Sequence, residues 1–183
     1  MHPKEFKKVK NNTGYFTHRT LNNSELFIGV DFSNNSRINK IITTHDSYIL
    51  FPSDNAIDLN TQNPKEITKT SKNIAIFLID STWGCVNKMF KQSTNLQKLK
   101  HMSFNTSRVS QYKIKVQPQT NYLSTIESTL VVLELLNFWK IESSNEKDLE
   151  DFLNPFHKMI EYQKKLIENP VSHAVRFKKR STY

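Results

Sequence analysis

The residues best equipped for chemistry stand together at positions 80–83: Asp80, Ser81, Thr82 and Trp83. They follow an apolar run at 74–79, Ile-Ala-Ile-Phe-Leu-Ile. Open α/β sheets place their ligands beyond the carboxyl ends of the strands, where this carboxylate falls. There Asp80 could accept a proton from a substrate nitrogen. It could equally cap the helix that follows, which Asp does well. Position alone leaves those two readings level. Trp83 could stack on a base or on adenine, although packing of a short helix on the sheet is the commoner use of such a ring. A second group, Ser124-Thr125-Ile126-Glu127, has the capping-box spacing of a Ser three residues ahead of a Glu. The same helix start gathers N–H groups that can hold a carboxylate or another anion, and both uses can coexist.

Other chemistries find less material. The six histidines are scattered, with no pair at ligand spacing on one helix, and a single cysteine cannot build a structural zinc site. No metal is expected. Nothing marks a base for Cys85, which reads as a small buried residue. Three glycines supply neither a GxGxxG nor a P-loop pattern. Cations near the strand ends are Lys88, Arg108, Lys113 and Lys115, with Arg37 and Lys40 earlier. Alternation sets Lys113 and Lys115 on one face of their strand, a solvated face or a phosphate contact.

These groups need elements to hold them. Strands are expected at 26–30, at 48–51 before Pro52, at 74–79 and at 112–116. The 74–79 run is apolar throughout, the mark of a strand covered on both faces. Residues 53–73 read as a polar surface loop with one helical turn. A short helix is expected through Val86 and Met89. A longer one starts at Ser124, with Ile126, Leu130, Leu133 and Leu136 as one stripe. A last helix opens at Asn154-Pro155 and runs to Glu168, with Phe156, Met159, Ile160 and Gln163 on one face. Strands alternate with helices, so the fold class is α/β, a mostly parallel sheet with helices on both faces. Ligand-bearing loops are expected at 51–53, at 80–83 and ahead of Ser124.

The 183 residues suit one domain, 1–183, with 171–183 as a basic tail containing Arg176, Lys178, Lys179 and Arg180. Hydrophobic residues make up 37%, and the mean hydropathy is −0.59, as expected of a soluble chain. There is no apolar run of membrane-spanning length, and residues 1–5 lack the apolar core of a signal peptide. With one cysteine, a reducing cytoplasm is expected. The net charge of +9 favours a polyanionic partner, nucleic acid above all. A basic bias from AT-rich coding, visible in the Asn, Lys and Ile content, would give the same sign.

The stretch "LIDSTW" at 78–83 resembles the D-x-T-W motif of the DTW-domain proteins. Four further blocks are similar in order and spacing: "HPKE" at 2–5 with "NNTG" at 11–14, "ILFPSDNA" at 49–56, "YKIKVQPQTNYLSTIES" at 112–128 and "FHKMIEYQ" at 156–163. The resemblance implies a tRNA-uridine aminocarboxypropyltransferase. It implies a SPOUT-like fold whose C-terminal trefoil knot forms an S-adenosylmethionine pocket, an exception to the usual unknotted chain. The 3-amino-3-carboxypropyl group would pass to N3 of a tRNA uridine, and 5′-methylthioadenosine would leave.

On that reading Asp80 is the base for N3–H, or orients N3 by a hydrogen bond. Leu50, Phe51, Pro52 and Ser53, then Ile79, Ser81 and Thr82, then Leu123, Ser124 and Thr125 line the cofactor pocket. Trp83, Lys88, Arg108, Lys113 and Lys115 face substrate or RNA. Lys115 stands where the family favours Arg, the better bidentate donor. Many members carry a cysteine-rich zinc-binding segment before His-Pro-x-Glu, whereas here Met1 directly precedes His2. Ser81 and Ser128 occupy positions where Gly or Ala is more usual. The expected partner is tRNA, with no membrane and no metal. A monomer is expected, because the long polar loops offer no apolar interface. The alternatives are S-adenosylmethionine-dependent modification of ribosomal RNA, by aminocarboxypropyl or methyl transfer, and a non-catalytic RNA-binding relative.

Overall fold

The structure, a computed structural model, describes residues 1–8, 11–68, 71–112 and 122–168, with the backbone alone of Trp83. The expected strand at 112–116 lies outside the described residues beyond Tyr112. So do Lys113, Lys115 and the basic tail.

Among the described residues four strands form the sheet: β1 (Asp46–Leu50), β2 (Ile57–Asp58), β3 (Ile74–Phe77) and β4 (Lys100–Ser103). Their order is β2-β4-β1-β3, and every pairing is parallel. β1 is central. Its Tyr48 and Ile49 are both 0% exposed and point to opposite faces, as successive strand residues must. Complete burial of each contributes roughly 1.5–3 kcal/mol.

Helices cover both of those faces. On one, Ile49 meets Ile38 of α3 (Ser36–Thr44), Met89 of α5 (Trp83–Gln92) and Leu96 of α6 (Thr94–Gln97). On the other, Tyr48, Ile57 and Met102 pack with Val132 and Leu136 of α7 (Thr125–Phe138). A third cluster joins α7 to α9 (Asn154–Glu168) through Ile126, Leu130, Phe156, Met159 and Ile160. α7 therefore carries two buried faces. Its expected single stripe divides, with Leu136 turned to the sheet and Ile126, Leu130 and Leu133 turned to α9. The remaining helices are α1 (Pro3–Lys8), α2 (Thr13–Thr20), α4 (Pro64–Thr68) and α8 (Glu146–Asp151).

Several expectations need correction. Residues 26–30 form no strand: the Phe27 carbonyl accepts from the Met1 nitrogen at 2.7 Å, and the Gly29 N–H donates to the Met1 carbonyl. β3 ends at Phe77, sits at the edge of the sheet among the described residues and is half-buried along its length, so the doubly covered strand is β1. The polar segment 53–73 contains β2 and α4. β4, Lys-His-Met-Ser, sits inside the sheet although only Met102 of the four is an aliphatic core residue.

Parallel pairing sends the chain out of β1, β3 and β4 at the same end. Ile49 aligns with Phe77, and Leu50 with Met102. The residues that follow, at 51–52, 78–81 and 103–107, are thereby collected beyond one edge of the sheet.

Candidate functional site

A cleft of about 1080 Å³ opens at that edge. Its floor comes from the three strand ends: Leu50, Phe51 and Pro52; Leu78, Ile79, Asp80 and Ser81; Met102 to Ser107. The start of α7 supplies Leu123, Ser124, Thr125 and Ser128, and the start of α2 supplies Asn11, Asn12 and Thr13. Glu5, Val86, Asn87, Tyr112 and Tyr122 complete the described wall. Phe51 is held flat by Phe90, ring centroids 4.5 Å apart, with the His101 ring edge-on at 5.8 Å. Glu5 and Asp80 are the only charged side chains of this described lining, in a chain of net charge +9.

Asp80 is 8% exposed. Thr125 donates its hydroxyl to Oδ1 at 2.7 Å, and Asn12 donates Nδ2 to Oδ2 at 3.0 Å. The Asp80 carbonyl accepts the His2 N–H at 3.0 Å, which brings in the approach to α1. Residues 12, 80 and 125 meet here although the sequence separates them widely. Asn12 uses both ends of its amide, since its Oδ1 also caps α2 by accepting the Tyr15 N–H at 2.9 Å. The two donors fix the direction of the carboxylate. The capping reading for Asp80 falls away, because the N-cap of α5 is Thr82.

Gly14 makes this seat possible. A Cβ there would lie 2.4 Å from the Asp80 carboxyl carbon and 2.5 Å from Oδ1. The carboxylate rests directly on the backbone of α2, and any side chain at 14 would evict it.

Glu127, 5% exposed, is the second buried carboxylate. It accepts the Ser124 N–H at 2.8 Å and the Ser124 hydroxyl at 2.6 Å, the carboxylate half of the expected capping box. It also accepts the Ser110 hydroxyl at 2.8 Å and the Gln111 N–H at 2.7 Å. Close by, Tyr112 has its phenol pKa pushed up, first by burial and then by the negative charges of Glu5 and Asp80. It remains a neutral donor, directed to the Asn11 carbonyl at 3.5 Å.

The cleft brings together Asp80 with Leu50, Phe51, Pro52, Ile79, Ser81, Leu123, Ser124 and Thr125. Ser53 and Thr82 fall outside its lining. Lys88 is exposed on α5, also outside the lining, and Trp83 opens that helix. Arg108 turns away to Glu134, Nη1 to Oε2 2.8 Å, and lines a smaller hollow behind the cleft wall. Lys113 and Lys115 are outside the described residues. Sequence reasoning missed Asn12, Gly14, Glu5 and Tyr112 as site residues. Asn12 and Gly14 stood in the sequence as part of the "NNTG" block at 11–14, whose Asn-Thr-Gly also reads as a turn, and neither sign points to a contact with residue 80. Among the described residues no group of three or more His, Cys, Asp or Glu is placed to hold a metal ion. No helix of the described residues is long and apolar enough to cross a membrane.

Comparison with known proteins adds a family. The chain is 24% identical over 130 residues to the tRNA-uridine aminocarboxypropyltransferase 2 of Drosophila melanogaster, covering 71% of this chain and 47% of that protein. It is 32% identical over 88 residues to the Mus musculus protein of the same name, covering 48% of this chain and 28% of the relative. The match spans less than half the length of each of these relatives. No solved structure matches the chain. The sequence model of the DTW domain matches residues 1–164, so that the cleft, with Asp80, Asn12 and Thr125, lies wholly within the matched region. The chain belongs to the DTW-domain family.

Proposed function

We propose that this chain transfers the 3-amino-3-carboxypropyl group of S-adenosylmethionine to N3 of a uridine in tRNA, with loss of 5′-methylthioadenosine. The reading includes a SPOUT-like knotted single domain that acts as a cytoplasmic monomer. The observation that carries it is Asp80, a carboxylate in a cleft at convergent parallel strand ends, held by donors on both oxygens. The names of the relatives support the substrate class.

The described residues fit the donor. A cleft of about 1080 Å³ is at the upper end of what small-molecule sites occupy. Leu50, Phe51, Ile79 and Phe104 offer an apolar strip for a flat purine. Ser81 Oγ, buried and without a hydrogen-bond partner among the described residues, belongs to that wall. Glu5 and Asp80 suit a ligand with positive charge, and the first-turn N–H groups of α7 suit its carboxylate. When bound, S-adenosylmethionine supplies an electrophilic carbon next to a sulfonium. Asp80 accepts the N3–H proton, or a hydrogen bond from it, and so raises the electron density of the attacking nitrogen. Thr125 and Asn12 keep the carboxylate aimed. Lys115, and Lys113 with it, contribute charge for the donor carboxylate or for RNA phosphate.

Incubation of the protein with unmodified tRNA and S-adenosylmethionine tests this directly. Mass spectrometry should find methylthioadenosine and a matching gain of mass on a uridine. S-Adenosylhomocysteine would mean methyl transfer, and tRNA binding without either product would mean a non-catalytic relative.

A further inference from the structure

We infer that Glu127 is a positioning residue that latches one wall of the cleft to α7, beyond its duty as a helix cap. Its Oε2 takes the Ser124 N–H and hydroxyl at the helix start. The same carboxylate reaches across to Ser110 and Gln111, 17 and 16 residues earlier. Those two residues lie in the segment 103–112, of which Ser103 to Ser107 and Tyr112 line the cleft. Ser110 Oγ passes the connection on by accepting the Tyr112 N–H at 3.1 Å.

Behind part of this wall the described residues are loosely filled. A hollow of about 440 Å³ sits there, bounded by Arg108, Val109, Glu127, Leu130 and Leu149 among others. Val109 is 67% exposed. The ion pair across the hollow among the described residues, Arg108–Glu134, has side chains 51% and 34% exposed and can hold little. Apolar contact normally fixes a loop against a helix. Here Tyr112 makes that contact, edge-on to Phe156 of α9, and the Glu127 hydrogen bonds hold Ser110 and Gln111 just ahead of it, in a buried setting where such bonds are strong.

The chemistry of the carboxylate is specific to the job. Each oxygen faces a backbone N–H, Ser124 on Oε2 and Gln111 on Oε1. A glutamine of the same shape would set its NH2 against one of those N–H donors in either orientation. One buried donor would then go unpaired, the costly outcome.

The effect on ligand binding rests on the proposed donor, whereas the mechanical part does not. The test is Glu127→Gln beside Ser110→Ala, in the full chain. Hydrogen exchange is read across 103–112, and S-adenosylmethionine affinity by calorimetry. For Glu127→Gln, exchange in 103–112 should rise about tenfold while β1 and β3 stay protected. Donor affinity should fall about tenfold, with kcat at saturating donor changed less than about threefold. Ser110→Ala leaves the helix cap intact, so a capping role alone predicts no effect from it. The latch predicts a smaller loosening of the same segment and about threefold weaker affinity. If Ser110→Ala changes neither quantity, or Glu127→Gln raises exchange uniformly with affinity per folded molecule intact, the latch is wrong. If the wild-type protein does not bind S-adenosylmethionine, the proposed donor fails, and the exchange comparison still decides the latch.

Discussion

Asp80 and Glu127 are both buried carboxylates, 8% and 5% exposed, and neither pairs with a Lys or Arg among the described residues. They differ in what surrounds them. Glu127 receives four donors, two of them backbone N–H groups, and its hydrogen bonds all lead to protein. Asp80 receives one side-chain donor on each oxygen, and each oxygen keeps acceptor capacity toward a cleft. A carboxylate with its valences filled by backbone is built to hold. One half-filled at the floor of a cleft can still take a proton or a hydrogen bond from a ligand.

Substitutions can break that contrast. Asp80→Ala should keep the fold and reduce turnover by at least about a hundredfold, the range of a lost general base. Circular dichroism with initial rates checks both halves, and an unchanged rate would remove the base assignment. Gly14→Ala should come next. Its methyl would collide with the Asp80 carboxylate, at a cost of about 1–3 kcal/mol in stability together with lost activity. A melting curve and a rate measurement show whether the two fall together. Thr125→Val preserves shape and removes the 2.7 Å bond, so kcat should drop about tenfold with a small change in melting temperature. Lys115→Ala should weaken donor or tRNA binding a few-fold without unfolding the chain, as a lost charge contact would. A collapse in melting temperature with affinity per folded molecule intact would make that lysine structural. Arg108→Ala should be the mildest. Its pair with Glu134 is half exposed, so stability should change by less than about 1 kcal/mol.

The sequence made the scaffold of this contrast readable and left its joints hidden. The apolar run at 74–79, the Ser124–Glu127 box and the Asn154-Pro155 helix start are local patterns, and β3, α7 and α9 appear where those patterns put them. β4 was invisible because Lys100, His101 and Ser103 carry no strand pattern, and its place in the sheet comes from pairing with β1 and β2. α3 had local signs that went unread, Asn35 accepting the Ile38 N–H and Ile38, Ile41 and Ile42 at helical spacing. Asp80 was readable as a strand-end carboxylate. Its partners were not, because Asn12 looks like a turn residue and Thr125 like the first residue of a helix. Their meeting is a product of the parallel topology, which no local spacing encodes. Arg108, a cation near a strand end by sequence, pairs with Glu134 on an exposed surface, a partner that no local spacing indicates.

One measurement bears most directly on Asp80 as the working carboxylate of a transferase cleft. Wild-type protein and Asp80→Ala are incubated side by side with unmodified tRNA and saturating S-adenosylmethionine, and methylthioadenosine is counted per tRNA by mass spectrometry. The wild type should release methylthioadenosine with a matching mass gain on a uridine, while folded Asp80→Ala releases almost none. Equal release by the two proteins, or S-adenosylhomocysteine in place of methylthioadenosine, would contradict the account.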